Sequence, residues 1–165
     1  MTPFASPPDA LEWLPLARDD GLAGPMTRPS LHENNVYSIV EECERRRIVL
    51  FTEHVEDESV EYTDVSFTDV IAHWFDHILP GNILVGVEDW NLEQFLQHEW
   101  ERFEQGRKHG WPPLEFETRA ELLSALEEDR YKAYNVHASY GLGGWVVARS
   151  MHLERRARRW PGLGG

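Results

Sequence analysis

The chain has 165 residues, a formal net charge of −13, 41% hydrophobic and 12% aromatic residues, and one cysteine. This length suits one domain with a hydrophobic core, and the aromatic content argues against wholesale disorder. Because Cys43 is the only cysteine, an internal disulfide is excluded, and Cys43 has no partner at zinc-ligand spacing. We therefore expect a reducing, cytoplasmic compartment. The negative charge disfavours direct nucleic-acid binding, and no apolar run is long enough to predict a membrane span, so a basic protein partner is favoured.

Three regions differ in composition. Residues 1–33 contain six of the ten prolines and are predicted to form a proline-rich N-terminal arm. Residues 34–153 are predicted to form a single α+β domain, and residues 154–165 a basic C-terminal tail. We expect the tail to contact the protein's own acidic face or a partner through four arginines, namely Arg155, Arg156, Arg158 and Arg159.

The first predicted elements of the domain are strands. The segment NVYSIVEECE fits both a helical stripe and a strand, and we favour the strand. From Arg46 onward, RIVLFTEHV and VEYTDVSF show β-branched and aromatic alternation on either side of the polar turn EDES. This pattern predicts an antiparallel hairpin.

Residues 69–79, which precede a Pro-Gly-Asn turn, fit either a strand or a helix. The β-branched run and the apolar segment after the turn favour a strand, and the helix stays open as the alternative. On a helix, His73 and His77 would share a face and could bind a metal together with Asp76. On a strand the two histidines lie roughly 13 Å apart, too far for one ion. We therefore expect no metal and no cofactor.

Two helices and two further strands are predicted next. A capping pattern that begins at Asn91 predicts a helix to about Lys108, and a capping box that begins at Thr118 predicts a second helix to Asp129. The sequence from residue 131 to 153 then predicts two strands around the glycine-rich turn SYGLGGW. The predicted fold is α+β, with an antiparallel sheet of about five to six strands and two helices packed on one face.

Acidic residues are concentrated in one part of the chain. Between Glu41 and Glu104 there are 17 acidic residues against four arginines. Like charges this dense cost stability, which a cationic partner would offset. We predict a partner-binding surface on the hairpin, completed by two aromatic residues expected to be exposed, and its members are Glu53, Glu56, Asp57, Glu58, Glu61, Asp64, Trp90 and Trp111.

The sequence has no HExxH metalloprotease motif and no GxSxG nucleophile motif. The leading interpretation is therefore a non-catalytic binding protein that acts on a basic effector. Two alternatives stay open. One is a metal-dependent enzyme that uses His73, His77 and Asp76, and the other is a structural or adaptor subunit of a larger assembly.

The runs VEYTDVSFTDVIAHWFDHILPGNILVGVEDW and YKAYNVHASYGLGGWVVARS, with the motifs GNILxxVE and SYGLxGWV, resemble small bacterial α+β immunity proteins of polymorphic-toxin and contact-dependent inhibition cassettes. The resemblance covers about residues 45–153. It implies a protein that binds a cognate toxin and blocks it, often by plugging a basic active site. It carries no catalytic residues.

Overall fold

Residues 29–162 are described by the computed structural model, so most of the predicted N-terminal arm and the last three residues lie outside the described range. Within that range the chain forms an antiparallel sheet of eight strands and two helices. The α+β prediction is confirmed, and the predicted number of five to six strands is wrong. The elements are β1 (Asn35–Glu42), β2 (Arg47–Glu56), β3 (Ser59–Thr68), β4 (Ala72–Asp76), β5 (Asn82–Trp90), α1 (Leu92–Arg107), α2 (Arg119–Glu128), β6 (Lys132–Tyr140), β7 (Gly143–Ala148) and β8 (Ser150–Arg156).

Two short interruptions divide strands of the sheet, and the second adds a strand that the sequence pattern does not separate from its neighbour. Residues 69–71 separate β3 from β4, and Arg149 alone separates β7 from β8. Asp69 has a φ of 55°, outside the range that a strand can adopt. The alternating pattern of side chains continues on both sides of each interruption. The sequence pattern therefore predicts β7 and β8 as one strand.

The interruptions let the sheet curl. The strand order is β4-β7-β6-β5-β1-β2-β3-β8, which places β8 at one edge and β7 next to the other, although one residue joins them. At the bend, the Arg149 amide donates to the Thr68 carbonyl at 3.2 Å and the Ile71 amide donates to the Val147 carbonyl at 3.0 Å. The two edges are therefore brought together by one bent ribbon, in which β3 pairs with β8 and β4 pairs with β7.

The inner face of the curled sheet holds one hydrophobic core. Strand β7 shows how the sequence divides its side chains, since Val146 and Ala148 belong to this inner core while Trp145 and Val147 face the helices. Each fully buried large side chain contributes about 1.5–3 kcal/mol. The largest fully buried members of the inner core are Phe67, Ile48, Leu50, Leu84, Leu142, Val65 and Val136.

The second core lies between the sheet and the helices. Phe95 and Phe103 of α1 pack edge-on and stacked, respectively, against Trp145 of β7, with ring centroids 5.0 and 5.6 Å apart. Both helices begin where the capping patterns predicted. The side chain of Asn91 accepts from the Gln94 amide at 3.0 Å, and that of Thr118 accepts from the Glu121 amide at 3.2 Å. No helix in residues 29–162 has the length and apolar character needed to cross a membrane.

Residues 69–79 contain a strand and no helix. Ala72–Asp76 form β4 and pair with β7, which confirms the strand interpretation. The following turn is fixed by Asn82, whose buried side-chain oxygen accepts from the Leu79 amide at 2.8 Å and from the Leu142 amide at 2.9 Å. One side chain thus ties the β4–β5 turn to the β6–β7 turn.

Candidate functional site

The β2–β3 hairpin extends beyond the rest of the sheet. Strand β1 pairs with β2 only as far as Glu53, and strand β8 pairs with β3 only as far as Tyr62. Residues 54–61, which we call the hairpin tip, therefore have no neighbouring strand on either side among the described residues. An isolated two-stranded ribbon is only marginally stable in water, so the tip relies on its attachment to the sheet.

The hairpin tip carries an apolar pair on one face and carboxylates in its turn and on its other face. Val55 lies directly opposite Val60, and the two are 64% and 45% exposed. Two further pairs flank the valines, His54 with Glu61 and Glu56 with Ser59, and the turn itself is made by two acidic residues. Within residues 29–162, no ion pair involves the four carboxylates of the tip, which are Glu56, Asp57, Glu58 and Glu61.

The six predicted carboxylates do not share one face. Strand alternation and the observed register put Glu56 and Glu61 on one side of the hairpin and Glu53 and Asp64 on the other. The remaining two lie in the turn. The structure thus divides the predicted surface into a solvated tip and a separate pair of carboxylates nearer the sheet.

Asp64 is buried, although the sequence analysis placed it on the partner-binding surface. It is only 3% exposed, and Arg156 of β8 donates to one of its oxygens at 3.1 Å. The other oxygen, Oδ1, accepts no hydrogen bond from the described residues. Burial raises the pKa of Asp64 from 3.8 to about 6, and the neighbouring Arg156 guanidinium offsets part of that rise. Asp64 is therefore already engaged by the protein itself.

The arginine-rich segment packs on the same side of the hairpin. Residues 154–156 of the predicted tail complete β8, and residues 157–162 continue across the outer face of β2 and β1. Arg159 lies 3.6 Å from a carboxylate oxygen of Glu53, and Trp160 stacks on Phe51 with ring centroids 4.2 Å apart. The expected contact with the protein's own acidic face is therefore present for Arg156 and Arg159.

The two predicted aromatic partner residues belong to the helix-side core. Trp90 packs edge-on against Phe95 at 5.4 Å, and Trp111 stacks on Phe103 at 5.3 Å. Both tryptophans are half-buried. Their rings pack against aromatic residues of α1 in the helix-side core and not at the hairpin tip. The expected exposure is corrected because each ring covers an aromatic residue that α1 turns toward the sheet.

The candidate metal group is not assembled. His73 lies in β4 with its Nε2 3.6 Å from Glu41, whereas His77 follows the strand and its Nδ1 lies 3.0 Å from Asp76. The two histidines thus face different carboxylates. No cluster of three or more His, Cys, Asp or Glu side chains in residues 29–162 is arranged to hold a metal ion.

A cleft that the sequence analysis did not identify lies between β4, β1 and α1. It has a volume of about 840 Å³, and Trp74, Ile39 and Gln105 are among its walls. The Arg102 guanidinium lies 3.7 Å from the centroid of the Trp74 ring and is also fixed by a 3.0 Å hydrogen bond to Glu99. No local pattern links Trp74 with a residue on a helix further along the chain, so the sequence alone gives no signal for this pair.

Glu99, in its ionised form, holds Arg102 in place. Burial alone would raise the pKa of Glu99, but hydrogen bonds from Arg102 and His98 outweigh burial and hold the pKa below its ordinary value. The cleft is therefore walled by an aromatic ring and a fixed cation. Its lining offers stacking and charge.

No family model, no curated protein and no solved structure matches this chain.

Proposed function

We propose that the protein is a non-catalytic binding protein that engages a basic protein partner through the hairpin tip, in the manner of an immunity protein that neutralises a cationic toxin. The observation that carries this proposal is the composition of the tip. An exposed pair of valines, Val55 and Val60, lies on one face of the tip, and the turn and the opposite face carry four carboxylates that form no ion pair within residues 29–162.

The tip has the composition of a binding surface. Protein interfaces combine an apolar centre that is dehydrated on binding with a polar rim. Here the valine pair supplies an apolar patch on one face of the ribbon, and the carboxylates of the turn and of the opposite face form a polar rim around the end of the hairpin. The rim would attract a cationic partner, speed its association and make binding dependent on salt.

The rest of the protein explains why the tip keeps its charge. Where the hairpin is flanked by other elements, Arg156 and Arg159 neutralise Asp64 and Glu53. The four carboxylates beyond that point repel one another, a cost that a cationic partner would remove. The resemblance of the sequence to toxin-immunity proteins points to the same class of partner.

The test is co-expression with the product of the adjacent gene, scored by growth protection and by binding of the purified proteins. The variant reverses the four tip carboxylates to lysine, Glu56→Lys, Asp57→Lys, Glu58→Lys and Glu61→Lys. We expect binding to weaken by at least about 100-fold, because like-charge contacts across an interface cost several kcal/mol. Growth protection should be lost with it.

A matched control separates local from global charge. Four exposed carboxylates of the helices are changed to lysine instead, which gives the same net charge, and these are Glu93, Glu104, Glu127 and Glu128. This variant should bind nearly as well as the wild type. Equal loss in both variants would show that only the overall charge matters, and equal retention in both would remove the tip as the binding surface.

A further inference from the structure

A second surface lies beside the hairpin tip and is covered by the chain itself. Phe51 points away from the inner core, because its neighbours Leu50 and Thr52 point inward. An outward phenylalanine on a sheet would ordinarily be exposed, yet Phe51 is only 2% exposed. It is covered by Trp160, whose ring lies 4.2 Å away with an angle of 5° between the planes.

Aromatic rings and carboxylates alternate on this surface, which we call the aromatic–acidic face. Tyr37 packs against both Phe51 and Tyr62, each with ring centroids 6.4 Å apart. Glu53 and Asp64 lie on the same side of the hairpin by register. The members of the aromatic–acidic face are thus Tyr37, Phe51, Glu53, Tyr62 and Asp64.

Residues 157–162 fit this face through three kinds of contact. The Arg159 guanidinium lies 4.3 Å from the centroid of the Tyr37 ring and 3.6 Å from the Glu53 carboxylate. The Trp160 amide donates to the Tyr37 hydroxyl at 3.0 Å. Stacking of Trp160 on Phe51 completes the set. An arginine followed directly by a tryptophan is therefore recognised by side chains of both residues and by the backbone between them.

The aromatic–acidic face is continuous with the hairpin tip. By strand alternation, Val55 follows Glu53 on the same side of β2, and Val60 precedes Tyr62 on the same side of β3. A partner lying on the valine pair would meet the aromatic–acidic face next. Its charge also matches, since the basic partner of the proposed function would bring arginines to Glu53.

We propose that the aromatic–acidic face is a receptor for an extended, arginine- and tryptophan-bearing segment of the basic partner, and that residues 157–162 occupy this receptor until such a segment displaces them. The inference rests on the proposed function for the identity of the partner. The receptor itself rests on the contacts of the chain's own segment. Because that segment is tethered, its effective concentration is of the order of millimolar, and it competes with any segment added in solution.

The test uses the full chain and a fluorescently labelled peptide of residues 155–162, RRARRWPG, with binding followed by fluorescence anisotropy. A double variant, Arg159→Ala with Trp160→Ala, removes the competing side chains. We expect this variant to bind the peptide about tenfold more tightly than the wild type does, because the tethered competitor is weakened. The same peptide with alanine in place of its tryptophan should bind the double variant at least about fivefold more weakly, because a stacking contact is lost.

Two further substitutions in the double variant locate the peptide. Phe51→Ala and Glu53→Gln should each reduce binding at least about fivefold, whereas Glu127→Gln, an exposed carboxylate of α2, should not. Arg159→Ala alone serves as a milder opening variant if the double variant is poorly folded by circular dichroism. Its peptide affinity should lie between those of the wild type and the double variant.

Two results would overturn the receptor. One is equal peptide affinity in the wild type and the opened variants, and the other is binding unaffected by Phe51→Ala and Glu53→Gln. Neither result bears on the hairpin tip, because the assay contains no natural partner. Conversely, loss of partner binding with the tip variant, while peptide binding persists, would leave both inferences standing as separate surfaces.

Discussion

Asp64 gives the sharpest quantitative prediction, because its burial sets the sign of a pH effect. The folded protein raises the pKa of Asp64 from 3.8 to about 6, mainly through burial. Between these two values the folded protein binds more protons at this site than the unfolded chain does. The free energy of unfolding should therefore fall as pH rises through this interval, which is opposite to the usual effect of a salt-bridged aspartate.

The size of the effect follows from the shift. A shift of one pKa unit corresponds to about 1.36 kcal/mol, so the rise from 3.8 to about 6 corresponds to a loss of roughly 3 kcal/mol by neutral pH. Solvent screening does not reduce this figure greatly, because the Asp64 side chain is only 4% exposed. About 2 kcal/mol of the loss should fall between about pH 4.5 and pH 7.5, the range in which the remaining carboxylates are mostly ionised.

Asp64→Asn isolates the contribution, because asparagine has the same size and does not titrate. Urea unfolding of both proteins, followed by tryptophan fluorescence, gives the free energy of unfolding at each pH. Relative to the variant, the wild type should lose about 2 kcal/mol on going from about pH 4.5 to pH 7.5. Loss of the charged acceptor that Asp64 offers to Arg156 should add an offset that does not vary with pH, since arginine stays charged throughout.

Two outcomes would refute this reasoning. Parallel curves for the wild type and Asp64→Asn would mean that the folded and unfolded pKa values of Asp64 are equal. A wild type that gains stability with pH relative to the variant would mean that attraction to Arg156 outweighs burial. Glu127→Gln, an exposed site that also removes one carboxylate, should run parallel to the wild type.

Two further predictions concern the backbone near β7. Gly144→Ala should lower the free energy of unfolding by at least about 3 kcal/mol, because the added methyl group would overlap the Trp74 carbonyl and the φ of 147° disfavours other residues. The control is Gly86→Ala. Its added methyl group meets no atom within 4 Å, so its free energy of unfolding should stay within about 1 kcal/mol of the wild type. Thermal unfolding measures both, and equal midpoints would contradict the close approach. Asn82→Ala should lower the free energy of unfolding by about 2–4 kcal/mol and speed amide exchange at Leu142, because two backbone donors lose their acceptor. The control, Ser139→Ala, removes one 3.4 Å contact at an exposed site and should lower the free energy of unfolding by under about 0.5 kcal/mol. Unchanged exchange at Leu142 would show that the Asn82 side chain is not the acceptor that protects it.

The parts of the fold set by local chemistry could be predicted from the sequence. Asn91 and Thr118 mark the starts of the helices because an N-cap needs only residues within one turn. The β2–β3 hairpin follows from alternation on both sides of a short acidic turn. The break at Arg149 could not be predicted, because it depends on where β3 bends, and β3 lies some eighty positions earlier in the chain.

The candidate site was predicted only in part, for a similar reason. Glu61 and Asp64 look alike in the sequence, as acidic residues three apart on one strand. The structure exposes the first and buries the second, because β8 brings Arg156 to Asp64 from 92 positions away. Tryptophans mislead in the same way, since Trp111 follows α1 in the sequence and yet stacks back on Phe103 within it.

The point at which β8 ends determines how the charge of the hairpin is divided. Strand β8 pairs with β3 up to the match between Arg156 and Tyr62, and the chain then turns toward β1, where Arg159 and Trp160 meet Tyr37. Had the arginines continued along β3, they would have neutralised the hairpin tip. Because they turn aside, the carboxylates near the sheet are paired and those at the tip remain solvated. The topology that buries Asp64 therefore also leaves the hairpin tip negatively charged, and the proposed partner is expected to be positively charged for the same reason.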